Sequence, residues 1–453
     1  MLILLISLPC FAQPSFEAPE HSYRDTLNQL VKADTTNPPG NESRAVEILA
    51  KRLKAEKIAY EIVEFGPGRQ NLIARLKGDG SKKPLLLLAH IDVVGTKDQN
   101  WATPPHEVTE KDGFLYGRGV GDDLGMAVTN LEVFLMLKKE NVQLKRDVIL
   151  AFTGDEESGG LGIRTVLEKR PELLDAEIAL NEGGGIWLND EGKPYLVRPQ
   201  VAEKIYQDFE LTAKGETGHS SVPKKDNAIY RLARALERIG QFEPERRLLP
   251  VTRAYFRETA KIETGNLAKV LKEIAESKGK ISKRALKVIE SRPAYAIQLY
   301  TSCVATMLSG GTKVNALPPT ATANINCRIL PDETPELVQE RLAKIIGDPQ
   351  VAIAAPKEFS KAGASPVDGV VMTAIQELSK ETYPGLPVVP CMQSGATDSR
   401  FLRMRGVAAY GFSAMATYEK DANRAHGIDE RIPVASIRPA MENMYKLVLK
   451  LAQ

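Results

Sequence analysis

Metal-ligating and acidic side chains follow three apolar runs of the chain: His90 and Asp92 in LLLLAHIDVV (residues 85–94), Asp155, Glu156 and Glu157 in FTGDEESGG (152–160), and Glu182 in ALNEGGG (179–185). Continuous apolar runs of this kind are typical of strands buried on both faces of a parallel sheet. Because the carboxyl ends of such strands meet at one edge, these side chains are expected to lie together. So many carboxylates would repel one another, and a divalent metal removes that repulsion.

A fourth acidic stretch, GRGVGDDLG (117–125), places Asp122 and Asp123 between glycines, directly before a helical pattern. Aspartate at a helix N-terminus is ordinarily a cap, so a structural role is an open alternative. The glycine spacing does not match a phosphate-binding loop. His90 and Asp92 point the same way on a strand, which is the arrangement of a metal-ligating histidine and the carboxylate that orients it.

Composition and charge restrict the class of protein. The chain has 453 residues, of which 43% are hydrophobic and 26% charged, with a net charge of +2. This length favours two domains in a soluble globular protein. The interspersed charges show no nucleic-acid footprint. The N-terminal apolar run, within residues 1–16, is too short to span a bilayer and is expected to be a signal segment of a secreted or periplasmic protein. An uncleaved apolar segment of a cytoplasmic protein is the alternative.

The order of periodic patterns predicts how the chain is organised. Strands and helices alternate in residues 17–200 and again in 362–453, which predicts a doubly wound, mostly parallel α/β catalytic domain. Residues 201–361 read β-α-β-β-α-β, the order of an inserted ferredoxin-like α+β domain with an antiparallel sheet. A Lys/Arg/Glu-rich helical insertion interrupts that domain at about 245–295.

The four cysteines do not form a disulfide framework. One bridge between Cys303 and Cys327, on neighbouring strands, is an alternative, but buried free thiols are the favoured expectation. No Cys/His knuckle is present, so any metal site must use histidines and carboxylates.

Nine short motifs together resemble a known family of hydrolases. They are HID, GRGVGDD, GDEESGG, NEGG, GHSSVP (218–223), NALPP (315–319), CRILP (327–331), GATDSR (395–400) and AHGIDE (425–430). The chain resembles the co-catalytic zinc hydrolases that include acetylornithine deacetylase, succinyl-diaminopimelate desuccinylase, aminoacylase and carboxypeptidase S. The resemblance covers residues 22–453 and implies a catalytic domain with an inserted lid or dimerisation domain.

The resemblance also implies a role for each matching residue of the metal site. Two zinc ions are expected, with cobalt or manganese as substitutes. One ion would be held by His90 and Glu182, the other by Glu157 and His426, and Asp122 would bridge them. Asp92 would orient His90, and Glu156 would be the general base. Asp155 has no assigned role beyond supporting the turn.

Five further residues match positions that contact the substrate. His219 resembles the residue that stabilises the oxyanion, which in dimeric relatives reaches the partner subunit's active site. Arg328 and Asn315 match positions that hold the substrate's carboxylate and carbonyl. Gly395 and Thr397 match a substrate-lining loop, although Ala396 replaces a common glycine there.

The expected function is hydrolysis of an amide bond in a peptide or N-acyl amino acid with a free carboxylate. An aminopeptidase or non-specific dipeptidase is the alternative. An inactive binding protein is the third and least favoured interpretation, because every ligand that the resemblance implies and Glu156 are present. The expected partners are that small substrate and a second copy of the chain through the lid domain. Neither nucleic acid nor a stable membrane span is expected.

Overall fold

A computed structural model describes residues 15–355 and 362–453 of the chain. The expected signal segment, residues 1–16, lies almost entirely outside the described residues. Within the described ranges, every helix is too short or too polar to cross a membrane.

The first part of the chain alternates strands and helices. Its helices are α1 (Glu17–Ala33), α2 (Ser43–Ala55), α3 (Leu124–Lys139) and α4 (Leu161–Lys169). Its strands are β1 (Tyr60–Gly66), β2 (Arg69–Leu76), β3 (Leu85–His90), β4 (Thr109–Lys111), β5 (Phe114–Tyr116), β6 (Val148–Thr153), β7 (Ile178–Asn181), β8 (Gly185–Leu188), β9 (Pro194–Arg198) and β10 (Gln200–Glu203).

The middle part contains six strands and six helices. The strands are β11 (Ile205–Lys214), β12 (Gly218–His219), β13 (Ser302–Gly310), β14 (Ala316–Leu317), β15 (Thr320–Ile329) and β16 (Val351–Ala354). The helices are α5 (Ala228–Gln241), α6 (Pro250–Thr259), α7 (Gly265–Glu276), α8 (Lys283–Glu290), α9 (Pro293–Ala296) and α10 (Pro335–Ile346).

The last part returns to alternating strands and helices. It contains β17 (Cys391–Gln393), β18 (Ala408–Gly411), β19 (Ala416–Tyr418), β20 (Arg431–Pro433), α11 (Val370–Thr382), α12 (Ser399–Met404) and α13 (Ile437–Ala452).

The largest sheet, called the large sheet here, has the strand order β1-β2-β6-β3-β7-β18-β10-β17. Its central pairs β6–β3, β3–β7 and β7–β18 are parallel, and so is β10–β17. Successive leucines of β3 enter different hydrophobic cores, Leu85 and Leu87 on one face and Leu86 and Leu88 on the other. Helices therefore cover both faces, and the predicted mixed α/β, mostly parallel sheet is confirmed.

A second sheet, called the small sheet, has the strand order β13-β15-β11-β16, and all of its pairs are antiparallel. Odd-numbered residues of β11, such as Phe209 and Leu211, are buried against the same core as α5 and α10. Even-numbered residues of β11 and β15 face the opposite side of the sheet. The middle part thus has the strand order of a ferredoxin-like unit.

The helices α6 to α9 lie in the region expected to be an insertion, and they share a separate hydrophobic core. Arg247, just before α6, forms a bidentate ion pair with Asp332 beyond β15, with both N–O distances 2.8 Å. Gln298, just after α9, donates from Nε2 to the Met392 carbonyl on β17, at 3.2 Å. These helices therefore contact both the small and the large sheet.

The expectation of free thiols at Cys303 and Cys327 is wrong. The two residues are direct partners in the antiparallel register of β13 and β15, their Cα atoms lie 4.1 Å apart, and a disulfide joins them. The spacing in sequence could not reveal that register, which brings the side chains side by side. Cys391 is free and buried, as expected.

Candidate active site

The acidic motifs come together at the carboxyl ends of β3, β6 and β7, where open α/β sheets place their sites. Asp122, at the turn before α3, joins them. The helix-cap alternative does not account for this turn, because Asp123 at the N-cap makes no side-chain capping bond. Two groups of side chains there have the composition of metal sites: His90 with Asp122 and Glu182, and Asp122 with Glu157 and His426.

In the first group, three ligand atoms of His90, Asp122 and Glu182 lie within 4.8 Å of one another. His90 is almost fully buried, and its Nε2 lies 3.0 Å from Asp122 Oδ1 and 4.0 Å from Glu182 Oε1. The other ring nitrogen, Nδ1, lies 2.9 Å from the Asp92 carbonyl oxygen. The ring is therefore fixed with Nε2 directed at the two carboxylates.

The second group uses the other oxygen of Asp122. His426 Nε2 lies 3.4 Å from Asp122 Oδ2 and 3.1 Å from Glu157 Oε2. Hydrogen bonds with Asp122 and Glu157 raise the pKa of His426 to about 10. Asp122 thus faces a histidine from each group, which is the geometry of a carboxylate shared by two cations.

The donor set fits a pair of divalent metal ions. Each group offers one imidazole nitrogen and two carboxylates, which are ligands that zinc accepts. Glu157 Oε1 is buried and makes no hydrogen bond among the described residues. A buried carboxylate oxygen without a partner carries a large desolvation cost, and a cation would remove that cost.

Asp92 joins the first group to the acidic turn after β6. It is fully buried, and its Oδ1 accepts the backbone N–H of Glu156 at 3.1 Å while its Oδ2 accepts that of Glu157 at 3.2 Å. Its Oδ1 also lies 3.6 Å from His90 Nδ1. One carboxylate therefore fixes both a histidine of the site and the backbone of two acidic neighbours.

Asp155 has a structural role in the same turn. Its Oδ1 accepts hydrogen bonds from Arg69 Nη1 at 2.9 Å and Asn37 Nδ2 at 3.2 Å, and its Oδ2 accepts the Leu161 N–H at 2.9 Å. Asn37 also donates to Asp92 Oδ2 at 2.8 Å. Asp155 has a φ of 69°, a left-handed conformation that aspartate tolerates better than most residues. The first acid of the three therefore supports the turn.

Glu156 stands apart from both groups of ligand atoms, although it lies beside them. Burial raises the pKa of its carboxyl well above its ordinary value, and Asp398 and Glu157 add to the shift. Its carboxylate lines the cleft together with Asp122, Glu157 and Glu182. Glu156 therefore lies beside the candidate ligands without belonging to either group.

The cleft has a volume of about 1030 Å³. Its lining includes most of the predicted site residues: Asp122, Glu156, Glu157, Glu182, Arg328, Gly395, Thr397 and His426. His90 and Asp92 lie buried beneath them. Arg328, from the small sheet, donates from Nη1 to the Ser394 carbonyl at 2.8 Å, so residues of both sheets form the cleft.

Two predicted residues lie elsewhere. His219 and Asn315 do not line the cleft: His219 belongs to a separate two-stranded sheet, in which it pairs with Ala316, and Asn315 directly precedes the second strand of that sheet. Both are exposed. The Asn315 carbonyl accepts the Ser220 N–H at 3.0 Å, and His219 Nδ1 accepts the Ser221 N–H at 3.1 Å. Within one chain, the structure therefore does not bring these two residues to the site.

The sequence reasoning missed a buried ion pair that joins two of the motifs. Arg118 Nη1 lies 2.9 Å from Glu430 Oε2, and both side chains are almost fully buried. Glu430 also accepts the backbone N–H groups of Gly119, Gly121 and Asp122 at 2.7–2.9 Å. Arg118 lies in the motif GRGVGDD and Glu430 lies in the motif AHGIDE. The available signal in the sequence was the presence of opposite charges in these two motifs. The pair ties the turn of Asp122 to the loop of His426.

The chain is similar in sequence to a family of peptidases and to proteins that are named as hydrolases or aminoacylases. Residues 86–450 match the model of peptidase family M20/M25/M40. The chain is 27% identical over 388 residues to mouse N-fatty-acyl-amino acid synthase/hydrolase PM20D1, covering 82% of this chain and 74% of that protein. It is 25% identical over 449 residues to rat aminoacylase-1A, covering 96% of both.

A solved structure shares the fold along almost the whole length. The M20 family metallo-carboxypeptidase Sso-CP2 from Sulfolobus solfataricus superimposes with a TM-score of 0.72 at 23% identity, covering 95% of this chain and 98% of that one. The family match spans far more than half of the chain. The protein therefore belongs to peptidase family M20/M25/M40 and is an amide-bond hydrolase.

Proposed function

We propose that the protein is a dizinc hydrolase that cleaves the amide bond of N-acyl amino acids or peptides with a free carboxylate. The observation that carries the proposal is the cleft itself. Two groups of histidine and carboxylate ligands share Asp122, Glu156 lies beside them, and Arg328 lines the same cleft. The names of two relatives, an N-fatty-acyl-amino acid synthase/hydrolase and an aminoacylase, support an N-acyl amino acid as substrate.

His90, Glu182 and Asp122 would hold one zinc ion, and Glu157, His426 and Asp122 the other. Such ions supply Lewis acidity, which polarises the scissile carbonyl and lowers the pKa of water at the site. Cobalt or manganese would be accepted by the same nitrogen and oxygen ligands. The Asp92 carboxylate holds His90 in the orientation that ligation requires.

Glu156 would move the proton. Its carboxylate accepts a proton from the attacking water and returns it to the nitrogen of the leaving amine. The Asp92 carboxylate accepts the backbone N–H groups of Glu156 and Glu157, which fixes the position of the Glu156 backbone next to the proposed ligand Glu157.

The substrate's carboxylate would be held by Arg328. A guanidinium offers a planar pair of N–H donors that match a carboxylate. Gly395 and Thr397 line the cleft, although the Thr397 hydroxyl already donates to Glu203 Oε2 at 2.9 Å. These two residues would therefore contribute shape and backbone contacts.

His219 and Asn315 would reach the cleft of a second copy of the chain, with the small sheet acting as lid and dimerisation domain. The edge strand β13 exposes Val304, Met307 and Leu308, by 56%, 71% and 70%. An exposed apolar edge strand is a template for pairing with another chain. Light scattering should give the mass of a dimer for the purified protein, and Leu308→Lys should give monomers. A wild-type monomer would remove this part of the proposal.

The central test is a pair of matched substrates, N-acetyl-leucine and N-acetyl-leucinamide, assayed after metal removal and again after zinc addition. Turnover should require zinc and should be much faster with the free carboxylate. Hydrolysis of leucinamide or Gly-Leu, without hydrolysis of either N-acetylated compound, would support an aminopeptidase or dipeptidase. No turnover, with less than about one zinc bound per chain, would support a binding protein instead.

A further inference from the structure

The face of the small sheet that is turned away from its helices carries an ordered row of polar side chains. The row contains the even-numbered residues Tyr206 and Asp208 of β11 and Asn324, Asn326 and Arg328 of β15. In the antiparallel register Tyr206 is opposite Arg328, and Asp208 is opposite Asn326. Directly opposed side chains on one face of a sheet are close enough to interact.

Tyr206 and Arg328 form a cation–π pair. The guanidinium carbon of Arg328 lies 4.5 Å from the centre of the Tyr206 ring. Both residues line the cleft. An unsupported arginine has several rotatable bonds, but here the guanidinium packs against the Tyr206 ring and its Nη1 donates to the Ser394 carbonyl. The orientation of the donor pair therefore depends on Tyr206.

Asp208 holds Tyr206 in turn. Its Oδ2 accepts the Tyr206 hydroxyl at 2.8 Å, and its Oδ1 accepts Nδ2 of Asn324 and Nδ2 of Asn326, both at 2.9 Å. Three donors satisfy this carboxylate, so it supports its neighbours rather than binding a ligand. A phenol that donates to a carboxylate is polarised toward a more negative ring, which strengthens its attraction for a cation.

We propose that Tyr206, held by Asp208, is a positioning residue that orients Arg328 for the substrate's carboxylate and so sets the preference for substrates with a free carboxylate. This inference rests on the proposed function, in which Arg328 is the carboxylate receptor. The protein would distinguish an acid from its amide less well without the ring, although no metal ligand or proton-transfer group would change.

The test measures kcat/KM for N-acetyl-leucine and N-acetyl-leucinamide and takes their ratio in each variant. Tyr206→Leu should lower the ratio roughly 3- to 30-fold, the range expected for one cation–π contact. The loss should come from a higher KM for the acid, with the amide unchanged. Tyr206→Phe and Asp208→Asn keep the ring and should lower the ratio by only a few fold. Glu210→Gln, on the same face of the same strand, is the matched control and should leave the ratio unchanged.

Arg328→Ala separates failure of this inference from failure of the proposed function. If Arg328→Ala leaves the ratio unchanged, Arg328 is not the carboxylate receptor, and both proposals fail. If Arg328→Ala abolishes the preference while Tyr206→Leu and Asp208→Asn keep it, only the inference fails. An equal loss of kcat/KM for both substrates in Tyr206→Leu would indicate a general structural defect and would also overturn it.

Discussion

The candidate ligands at the edge of the large sheet contact one another, from the almost fully buried His90 to the exposed His426, whereas the exposed His219 of the small two-stranded sheet forms its side-chain hydrogen bond within its own turn. His90, Asp92 and Glu157 each have positions fixed by contacts from at least one other motif. Within the described residues, His219 forms its hydrogen bonds with Ser221 and Val222 of its own turn and pairs with Ala316. The half of the candidate site at the large sheet is thus assembled within a single chain, and the proposed other half, with the exposed His219, lies apart from it.

The largest effect is expected from Glu156→Gln, which tests the half of the candidate site at the large sheet. Because Glu156 lies outside both groups of ligand atoms, the variant should keep its metal and lose kcat by roughly 10²–10⁴, the range for a general base. Metal analysis and steady-state kinetics measure the two properties. Glu157→Gln is the matched control and should lose metal. Metal loss in Glu156→Gln would mean that the two roles are exchanged.

His219→Ala tests the exposed half. Loss of one oxyanion donor should lower kcat by roughly 10²–10³, with metal content unchanged. His21→Ala, another exposed histidine, should have no effect. In an equal mixture with Glu156→Gln, half of the dimers would be mixed and each would contain one intact site, so about a quarter of wild-type activity should return. No recovery after subunit exchange would contradict a shared site.

Glu430→Gln tests what holds together the half of the candidate site at the large sheet. The Glu430 carboxylate accepts three backbone N–H groups of the Asp122 turn and pairs with Arg118, so a neutral amide would loosen that turn from the loop of His426. Metal affinity should fall roughly 10- to 100-fold, as is typical when a group behind a ligand is changed. Competition with a chelator measures it, with the exposed Glu419→Gln as control. Unchanged affinity would show that the ion pair does not support the metal site.

Lys204 tests the junction between the two sheets and should give the smallest effect. Burial, together with the charge of Arg328, lowers the pKa of Lys204 to about 7, although Glu333 opposes the shift. In the unfolded chain the Lys204 amine keeps its proton up to about pH 10.5, whereas in the folded chain it releases that proton near pH 7. The free energy of unfolding should therefore rise with pH across that window. Urea titrations of wild type and Lys204→Met should diverge as pH rises from 7 to 9, and parallel profiles would contradict the shift.

The periodic patterns predicted most of the elements, because buried strands and amphipathic helices leave a direct mark on the sequence. LLLLAHIDVV contains β3, and the helical pattern expected directly after Asp122 and Asp123 is α3. Register leaves no such mark. The disulfide between Cys303 and Cys327 and the contact of Tyr206 with Arg328 both depend on which residues of two strands are opposed, and neither could be read from the spacing.

Long-range polar contacts were equally hidden from the sequence. Asn37 bonds Asp92 and Asp155, residues that are 55 and 118 positions away, and nothing local to the sequence NPP suggests that role. The resemblance named His90, Asp122, Glu157, Glu182 and His426 as one set, and the structure brings their ligand atoms together in two groups. The supporting residues Asn37, Arg118 and Glu430, unlike Asp92, were identified only from the structure.

The two oxygens of Asp92 have a consequence for the cost of the chemical step. Each oxygen accepts one of two successive backbone N–H groups, and the same carboxylate faces the ring of His90. Glu156, the proposed proton acceptor, and the candidate ligands His90 and Glu157 are therefore all positioned by one carboxylate. In the proposed mechanism, charge would shift between water, Glu156 and the leaving amine among groups that folding has already oriented, so little reorganisation energy would remain for the chemical step.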